Sequence, residues 1–245
     1  MTDDAVLPET PAGPPARGVF ISFEGGDGVG KSTQIRLLAD WLTAQGREVV
    51  ATREPGGTTL GLELRAAVLH GDHVSARTEA LLYATDRSHH VATVVRPALA
   101  RGAVVLTDRY LDSSVAYQGD GRALGAQEVE RLSLWATEGL LPRLTVLLDL
   151  DPTVGLARLT ASPDRLERAG AEFHARTRRA FLERAAGDPV RWLVVDASRS
   201  VEEIAAQVRA RVEALLARTD AADAVADLVV EPAPAPAAHP TGASR

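Results

Sequence analysis

Short apolar runs alternate along the chain with segments whose apolar residues recur at helical spacing. The apolar runs predict five strands, at 18–24, 48–52, 103–107, 144–149 and 192–195. The helical spacing predicts helices at 32–42, 60–69, 78–100, 127–138, from Pro152 onward, at 172–186 and at 201–217. Strands that are separated by helices form a parallel sheet covered on both faces. The pattern therefore predicts an α/β domain with a five-stranded parallel sheet and helices on both faces.

Polar clusters come directly after the predicted strands. These clusters are residues 25–32, 53–54, 108–109 and 149–151. In an open parallel sheet, ligands bind outside the carboxyl ends of the strands. We therefore expect a ligand to bind at this edge of the sheet, and these four segments contain the candidate polar residues.

The first cluster has a specific pattern. Residues 25–32 read Gly-Gly-Asp-Gly-Val-Gly-Lys-Ser, which fits the phosphate-loop motif G-x-x-x-x-G-K-[ST]. The alternative is a flexible glycine loop with no function, and the strand before and helix after the loop favour a phosphate site. Backbone N–H groups and polar side chains of this segment are expected to hold phosphates. The candidates are Gly25, Gly26, Gly28, Gly30, Lys31, Ser32 and Thr33.

Lys31 is the only lysine in the chain, and every other cationic side chain apart from histidine is an arginine. A compact ammonium reaches into a ring of phosphate oxygens where the planar guanidinium of arginine is too wide. Lys31 is therefore expected to reach the β- and γ-phosphates, and the Ser32 hydroxyl to bind Mg²⁺. Asp108, at a strand end, suits Mg²⁺ through water; the alternative is an ion pair with a neighbouring arginine.

Composition narrows the classes of partner. The net charge is −6 without a basic block, which argues against polymeric nucleic acid. The chain has no cysteine, so disulfides and thiolate metal sites are excluded. Neither a membrane-length apolar run nor a signal pattern is present, so we expect a cytoplasmic protein without membrane contact. Asparagine is also absent, which excludes the Asn-Lys-x-Asp motif of GTP-switch proteins.

The two ends of the chain differ from its middle. Residues 1–17 and 219–245 are rich in Pro and Ala and are predicted to be a disordered extension and a disordered tail. Residues 18–218 are predicted to form the one domain. Within it, residues 162–170 form a short charged interruption between two helices. This segment is either a solvated surface loop or a lid over the phosphate site, and Arg158, Arg165 and Arg168 lie in or beside it.

Four further segments accompany the phosphate loop. They read Thr-Arg-Glu-Pro-Gly-Gly-Thr at 52–58, Glu-Ala-Leu-Leu-Tyr-Ala-Thr-Asp-Arg at 79–87, Asp-Arg-Tyr-Leu-Asp-Ser-Ser-Val-Ala-Tyr-Gln-Gly at 108–119 and Asp-Arg-Leu-Glu at 164–167. Together they resemble the bacterial thymidylate kinase family, over about residues 18–218. The resemblance implies a P-loop kinase fold with a short lid, and Mg²⁺-dependent transfer of the ATP γ-phosphoryl to dTMP. It also suggests a homodimer formed through helices.

The resemblance assigns roles around dTMP. Tyr83, where the family usually has phenylalanine, is expected to stack on thymine. Arg87 is similar to the residue that donates to thymine O4, Gln118 to the one at the base edge, and Tyr117 to the one that excludes a 2′-hydroxyl. The remaining expected dTMP-binding residues are Arg53, Glu54, Arg65, Arg109 and Ser113.

The resemblance also assigns catalytic roles to Lys31, Asp27, Arg109 and Arg165. Asp27 is similar to an acidic residue that meets the 3′-hydroxyl of dTMP, and Arg158 to a residue on the adenine side of the lid. Because the phosphate loop has no arginine, we expect Arg165 of the lid to neutralise charge on the phosphoryl in flight. The alternatives are another nucleoside-monophosphate or deoxynucleoside kinase and, outside that class, a non-catalytic ATP-binding switch protein.

Overall fold

All five predicted strands are present. The structure, a computed structural model, describes residues 18–159 and 165–229. Its strands are β1 (Val19–Glu24), β2 (Val49–Arg53), β3 (Val104–Asp108), β4 (Leu144–Asp149) and β5 (Trp192–Asp196). They pair in parallel in the order β2-β3-β1-β4-β5. The predicted fold class is confirmed, and the central strand β1 carries the phosphate loop at its carboxyl end.

Helices cover both faces of this sheet. They are α1 (Lys31–Ala44), α2 (Thr59–His70), α3 (Ala76–His90), α4 (Arg96–Ala100), α5 (Leu111–Ser114), α6 (Ala126–Ala136), α7 (Pro152–Ala157), α8 (Ala171–Gly187) and α9 (Val201–Val229). Alternate residues of β1 point to opposite faces of the sheet. Ile21 and Phe23 pack in the core with residues of α1 and α9, whereas Phe20 packs in a second core with residues of α4 and α5.

The structure contains a helical segment that the sequence pattern did not predict. Residues 111–121 form α5 and then a π-helical stretch, Val115–Gly121. The segment is short, and polar residues and glycines interrupt its apolar spacing, so periodicity gave no signal. Nearly all of it is buried, beside α6 and α8. Tertiary packing therefore determines this helix.

The predicted helix at 78–100 is divided. A π-helical turn, Val91–Val95, separates α3 from α4. Pro97 lies in the first turn of α4 and has no backbone N–H, so the regular helical ladder cannot continue through it. The chain nevertheless stays helical across the turn.

The last helix extends past its predicted end. We expected α9 to end near residue 217 and the disordered tail to begin at 219, but α9 continues to Val229. Thr219 is buried and its hydroxyl donates to the carbonyl of Leu215, while Asp220 pairs with Arg47. Alanine is frequent between 221 and 229, and alanine is the best helix former. The predicted extension 1–17 and residues 230–245 of the predicted tail lie outside the described residues.

Within the described ranges, no helix has both the length and the apolar character needed to cross a bilayer.

Candidate functional site

The glycine loop after β1 packs tightly against α7. Gly28 has a φ of 71°, and a Cβ at this position would lie 2.0 Å from the carbonyl oxygen of Gly155. Only glycine therefore fits here without a shift of the backbone. Gly30, with a φ of 95°, caps α1, so the loop ends at a helix N-terminus, where unpaired N–H groups favour an anion.

Lys31 is buried at the start of α1. Its ammonium donates to the carbonyl of Gly26 at 2.7 Å and to that of Gly25 at 3.3 Å. Burial lowers the pKa of Lys31, and the nearby guanidinium of Arg109 lowers it further. The Lys31 ammonium therefore lies within the loop. A polyphosphate bound there would place negative charge beside this ammonium and favour its charged form.

A broad open cleft runs along the loop. Lys31, Ser32 and Thr33 line it together with Gly28 and Gly30. The same cleft is lined by predicted site residues from other parts of the chain. These are Arg53, Arg65, Asp108, Arg109 and Arg158. The structure thus brings the polar ends of β2 and β3 to the phosphate loop, as the topology predicts.

The Ser32 hydroxyl and the Asp108 carboxylate form a pair that fits a magnesium ion. Ser32 Oγ donates to Asp108 Oδ2 at 3.1 Å. The other oxygen, Asp108 Oδ1, is buried without a hydrogen-bond partner among the described residues. Mg²⁺ takes oxygen ligands and usually keeps several waters while sharing phosphate oxygens, so two protein oxygens are enough. Among the described residues there is no cluster of three or more histidine or carboxylate side chains that could hold a metal.

A second cavity adjoins the cleft. Asp27, Glu54, Arg65, Arg109 and Glu167 line both cavities. The second cavity is smaller than the cleft. Side chains of α3 and of the helical segment 111–121 form the rest of its wall, and these are Tyr83, Arg87, Ser113, Ser114, Tyr117 and Gln118. All of the predicted dTMP-binding residues except Arg53 therefore line this cavity.

Arg109 lies where the two cavities meet. Its backbone has a φ of 68°, a conformation that only glycine adopts easily, and such strain is concentrated at functional sites. The guanidinium donates to Asp27 Oδ1 at 2.6 Å and to Ser113 Oγ at 3.1 Å, and it stacks over the Tyr117 ring with its centre 5.0 Å away. Burial tends to raise the pKa of Asp27, but Arg109 and Lys31 outweigh burial and lower it.

Glu24, at the end of β1, was not among the predicted site residues. It accepts hydrogen bonds from the Ser113 hydroxyl and, at 2.9 Å, from the Tyr110 N–H. It is fully buried, and burial with the nearby charge of Asp112 raises the pKa of Glu24 to about 8. Its place directly before the glycine loop is the signal that could have indicated it. Through Ser113, Glu24 supports the position of Arg109.

Arg87 is almost completely buried behind the second cavity. Its guanidinium makes four hydrogen bonds, to Glu54 Oε2 at 2.7 Å, to Ser133 Oγ, to the Tyr110 carbonyl and to Ser114 Oγ. Arginine has five N–H donors, so one Nη1 donor remains for a ligand. Arg87 therefore lines the wall of the second cavity with this donor.

Glu54 fixes the position of Arg87 by accepting its Nε hydrogen bond. Its second oxygen, Oε1, lies 2.8 Å from His90 Nδ1, and His90 Nε2 lies 2.7 Å from Thr52 Oγ1. Both carboxylate oxygens of Glu54 are thus paired with protein groups. Although Glu54 was predicted to bind dTMP, the contacts that the structure provides are with Arg87 and His90. His90 was not predicted, since a histidine in a helical pattern carries no distinguishing signal.

Arg165 is placed differently from its predicted position. Its Nε donates to the Val68 carbonyl at 2.9 Å, and its Nη2 lies 2.9 Å from Glu79 Oε2. Arg165 lines neither the cleft nor the second cavity, whereas Arg158 lines the cleft. The structure therefore does not bring Arg165 to Lys31. The part of the predicted lid at 160–164 lies outside the described residues.

Glu79 is a further residue missed by sequence reasoning, although it begins the segment 79–87. It is buried, and Gln118 Nε2 donates to its Oε1 at 2.8 Å. Two arginines, Arg122 and Arg165, lie against its other oxygen at 3.3 and 2.9 Å. A glutamate in the first turn of a helix is usually a surface residue that complements the helix dipole, so the sequence alone favoured no role in the site.

These features define a class. The parallel sheet, the glycine loop with Lys31 and the adjoining second cavity are those of a phosphate-loop kinase with two neighbouring substrate sites. A sequence model of the thymidylate kinase family matches residues 23–208. The chain therefore belongs to the thymidylate kinase family.

Individual relatives agree with this placement. The chain is similar to the thymidylate kinase of Leifsonia xyli subsp. xyli, with 66% identity over 80% of this chain and 95% of the relative. It is 64% identical to the thymidylate kinase of Clavibacter michiganensis subsp. michiganensis, over 82% of this chain and 97% of the relative. It is 53% identical to the thymidylate kinase of Bifidobacterium longum subsp. infantis, over 84% of this chain and 90% of the relative.

Proposed function

We propose that the protein transfers the γ-phosphoryl group of ATP to the phosphate of dTMP and forms ADP and dTDP. The observation that carries this proposal is the meeting of the two cavities at Asp27 and Arg109. A phosphate donor in the cleft and a monophosphate in the second cavity would meet at this junction. Direct transfer requires such an arrangement, because both reactants must be held in line and close together.

The cleft would hold the donor. Backbone N–H groups of the glycine loop and the ammonium of Lys31 would bind the β- and γ-phosphates, and Arg158 would lie on the adenine side. We propose that Ser32 and Asp108 hold Mg²⁺, because Asp108 Oδ1 is a buried oxygen with no hydrogen-bond partner in the described part of the chain. When bound, the metal would supply charge neutralisation on the phosphate oxygens. The reaction is thus proposed to be Mg²⁺-dependent.

The second cavity would hold the acceptor. Its flat Tyr83, its one remaining Arg87 donor and the amide of Gln118 suit a pyrimidine ring with an exocyclic carbonyl. Tyr117 lies beside Arg109, with its hydroxyl 3.3 Å from the guanidinium, where a ribose 2′-hydroxyl would compete for space. Asp27 would meet the sugar 3′-hydroxyl. The acceptor phosphate would lie near Arg109, Arg65 and Arg53.

The chain needs no strong general base for this reaction, because the acceptor phosphate is already ionised. Its residues would act by positioning and by neutralising charge, which account for most catalysis of phosphoryl transfer. Arg109 is held by Asp27 and Ser113 and would contact the acceptor phosphate without reorganisation. Arg165 would contribute to the transfer only after leaving Glu79, and its proposed role on the phosphoryl group depends on that movement.

An ADP-release assay with separate monophosphates tests the proposal. The thymine methyl is worth about 1–3 kcal/mol in a fitted apolar pocket, so dTMP should exceed dUMP by roughly 10- to 200-fold in kcat/KM. Because dCMP presents an N4 donor to Arg87, it should be poorer still. A preference for dCMP or for thymidine would favour a different nucleotide kinase, and ATP binding without any acceptor would favour a switch protein.

We also propose that the protein works as a homodimer. Helix α3 packs against both α2 and α6, and each of these three helices exposes a large apolar side chain. These side chains are Leu81 on α3, Leu62 on α2 and Trp135 on α6. The Trp135 side chain is 81% exposed. Large apolar side chains exposed on neighbouring helices support the proposal of an interface between two copies of the chain. Light scattering on the parent and on Trp135→Glu tests this, since the substitution should shift a dimer toward monomer.

The proposed partners are the small molecules dTMP and ATP, without polymeric nucleic acid or membrane. The net charge of −6 supports this proposal because it opposes binding to a polyanion. We place the protein in the cytoplasm, where the ATP pool is available. Cell fractionation with an antibody to the chain tests that placement.

A further inference from the structure

We propose that Glu79 is a positioning residue that sets base specificity by fixing the orientation of the Gln118 side-chain amide. This inference rests on the proposed function, because it concerns how the second cavity reads the base of a monophosphate. It starts from four described contacts of Glu79, one with Gln118, two with Arg122 and one with Arg165.

The amide of Gln118 can rotate by 180° and present either oxygen or nitrogen to the cavity. Gln118 Nε2 donates to Glu79 Oε1 at 2.8 Å, and both side chains are buried. Because Glu79 Oε1 is the acceptor in this bond, the nitrogen of the amide faces Glu79. The oxygen of Gln118 is then the atom left for the base.

Two arginines hold the carboxyl group of Glu79 in place. Arg122 donates to both of its oxygens, from Nε to Oε1 at 3.4 Å and from Nη2 to Oε2 at 3.3 Å. Arg165 Nη2 lies 2.9 Å from Oε2. Because these contacts fix the position of Oε1, the hydrogen bond from Gln118 Nε2 sets the orientation of the amide.

The cavity wall consequently offers an acceptor from Gln118 beside a donor, the remaining Nη1 hydrogen of Arg87. Thymine presents a complementary pair, with a donor at N3 and an acceptor at O4. Cytosine presents the reverse, with an acceptor at N3 and a donor at N4. Both hydrogen bonds therefore favour thymine and uracil over cytosine, and Glu79 controls one of the two.

The substitution Glu79→Gln tests this inference. A glutamine at 79 can donate or accept, so the Gln118 amide can turn its nitrogen toward the cavity. The informative pair of substrates is dTMP and 5-methyl-dCMP, because they have the same shape and methyl group and differ in hydrogen-bonding polarity. In Glu79→Gln we expect the kcat/KM preference for dTMP over 5-methyl-dCMP to be lower than in the parent by roughly 10-fold or more. The kcat/KM ratio of dTMP to dUMP in the variant should stay within about 2-fold of the ratio in the parent, since these two bases share N3–H and O4.

The matched control is Arg122→Gln, which loosens the same cluster but keeps the carboxylate and its bond to Gln118. It should retain the preference of the parent for dTMP over 5-methyl-dCMP. If both variants narrow the ratio equally, or if Glu79→Gln lowers all three substrates in proportion, Glu79 has only a structural role and the inference is wrong. Thermal denaturation shows whether each variant is folded.

The parent protein provides a test that does not depend on a variant. It should prefer dTMP to 5-methyl-dCMP by at least about 100-fold, because two hydrogen bonds are mismatched. A parent that accepts both within a fewfold range overturns the inference even if Glu79→Gln does not fold. A parent that phosphorylates neither overturns the proposed function instead, so the two failures are distinguishable.

Discussion

The guanidinium of Arg109 donates to the carboxylate of Asp27 at 2.6 Å, and this pair lies at the junction of the two cavities. A carboxylate beside bound phosphates is unfavourable unless a cation accompanies it. Arg109 supplies that charge and, with Lys31, lowers the pKa of Asp27. The pair thus allows an acidic residue to remain ionised within a site for two phosphorylated substrates.

The ionised form of Asp27 predicts that the folded protein loses stability when this carboxylate is protonated at acidic pH. Because its pKa in the folded protein is below that of an ordinary aspartate, Asp27 stabilises the fold above the ordinary pKa, and that stability is lost as the pH falls through the lowered value. Asp27→Asn should therefore weaken the acid-induced loss of stability. It should also lower kcat/KM for dTMP by about 10-fold or more near neutral pH, because it removes the partner of Arg109. Denaturation at several pH values and steady-state kinetics measure the two effects.

The only lysine of the chain gives the second prediction. Lys31→Ala should leave the fold intact and abolish transfer, because no other described ammonium lies in the loop. Lys31→Arg should restore little activity, since the wide guanidinium cannot take the place of an ammonium that fits between the carbonyls of Gly25 and Gly26. Circular dichroism and the ADP-release assay check both variants. Near-normal turnover of Lys31→Arg would contradict the predicted role.

Glu24 gives a pH dependence of the opposite sign to that of Asp27. Its pKa is raised to about 8, so the folded protein holds this proton more tightly than the unfolded chain does. Its contribution to stability is complete below the ordinary glutamate pKa and is lost as the pH rises toward 8. Each pH unit within this window should remove at most about 1.4 kcal/mol from the free energy of unfolding.

The variant Glu24→Gln isolates this effect. Glutamine cannot titrate, so urea denaturation of the variant should show a flatter dependence on pH between 5 and 8 than the parent does. An identical slope in both proteins would show that Glu24 does not titrate in this range. Glu128→Gln, an exposed change on α6, is the control for removal of one carboxylate.

The sequence predicted the sheet, and it predicted many residues that line the two cavities, because both depend on local patterns. Buried strands are continuous apolar runs, and Gly25 to Ser32 form a motif with fixed spacing. The helix at 111–121 and the contacts of Glu79 depend instead on residues distant in the chain, which no periodicity records. Arg165 illustrates the difference. Its motif was recognised, but its contact with Glu79 of α3 joins residues far apart in the chain, and only the packed structure reveals it.

The end of the domain can be tested by truncation. The sequence pattern placed the boundary near 218, whereas α9 continues to Val229. Removal of 230–245 should leave the melting temperature unchanged, because the Pro- and Ala-rich composition of this segment favours no packing. Removal of 219–245 also removes the buried Thr219 and the Arg47–Asp220 pair, and it should lower the melting temperature by about 2–4 °C. Equal melting temperatures for the two truncations would place the boundary at 218 after all.

Two arginines provide the last prediction, which separates binding from transfer. Arg87 is fixed by Glu54 and three other groups and would bind the base in the ground state, so Arg87→Ala should mainly raise KM for dTMP. Arg165 rests against Glu79 and would meet the phosphoryl group only after moving, so Arg165→Ala should mainly lower kcat. Arginines in this role are worth about 10³- to 10⁵-fold in rate. If Arg165→Ala turns over within a fewfold of the parent, the charge on the phosphoryl group is neutralised by Arg158, by Arg168 or by no lid residue, and Arg165 serves only to hold Glu79.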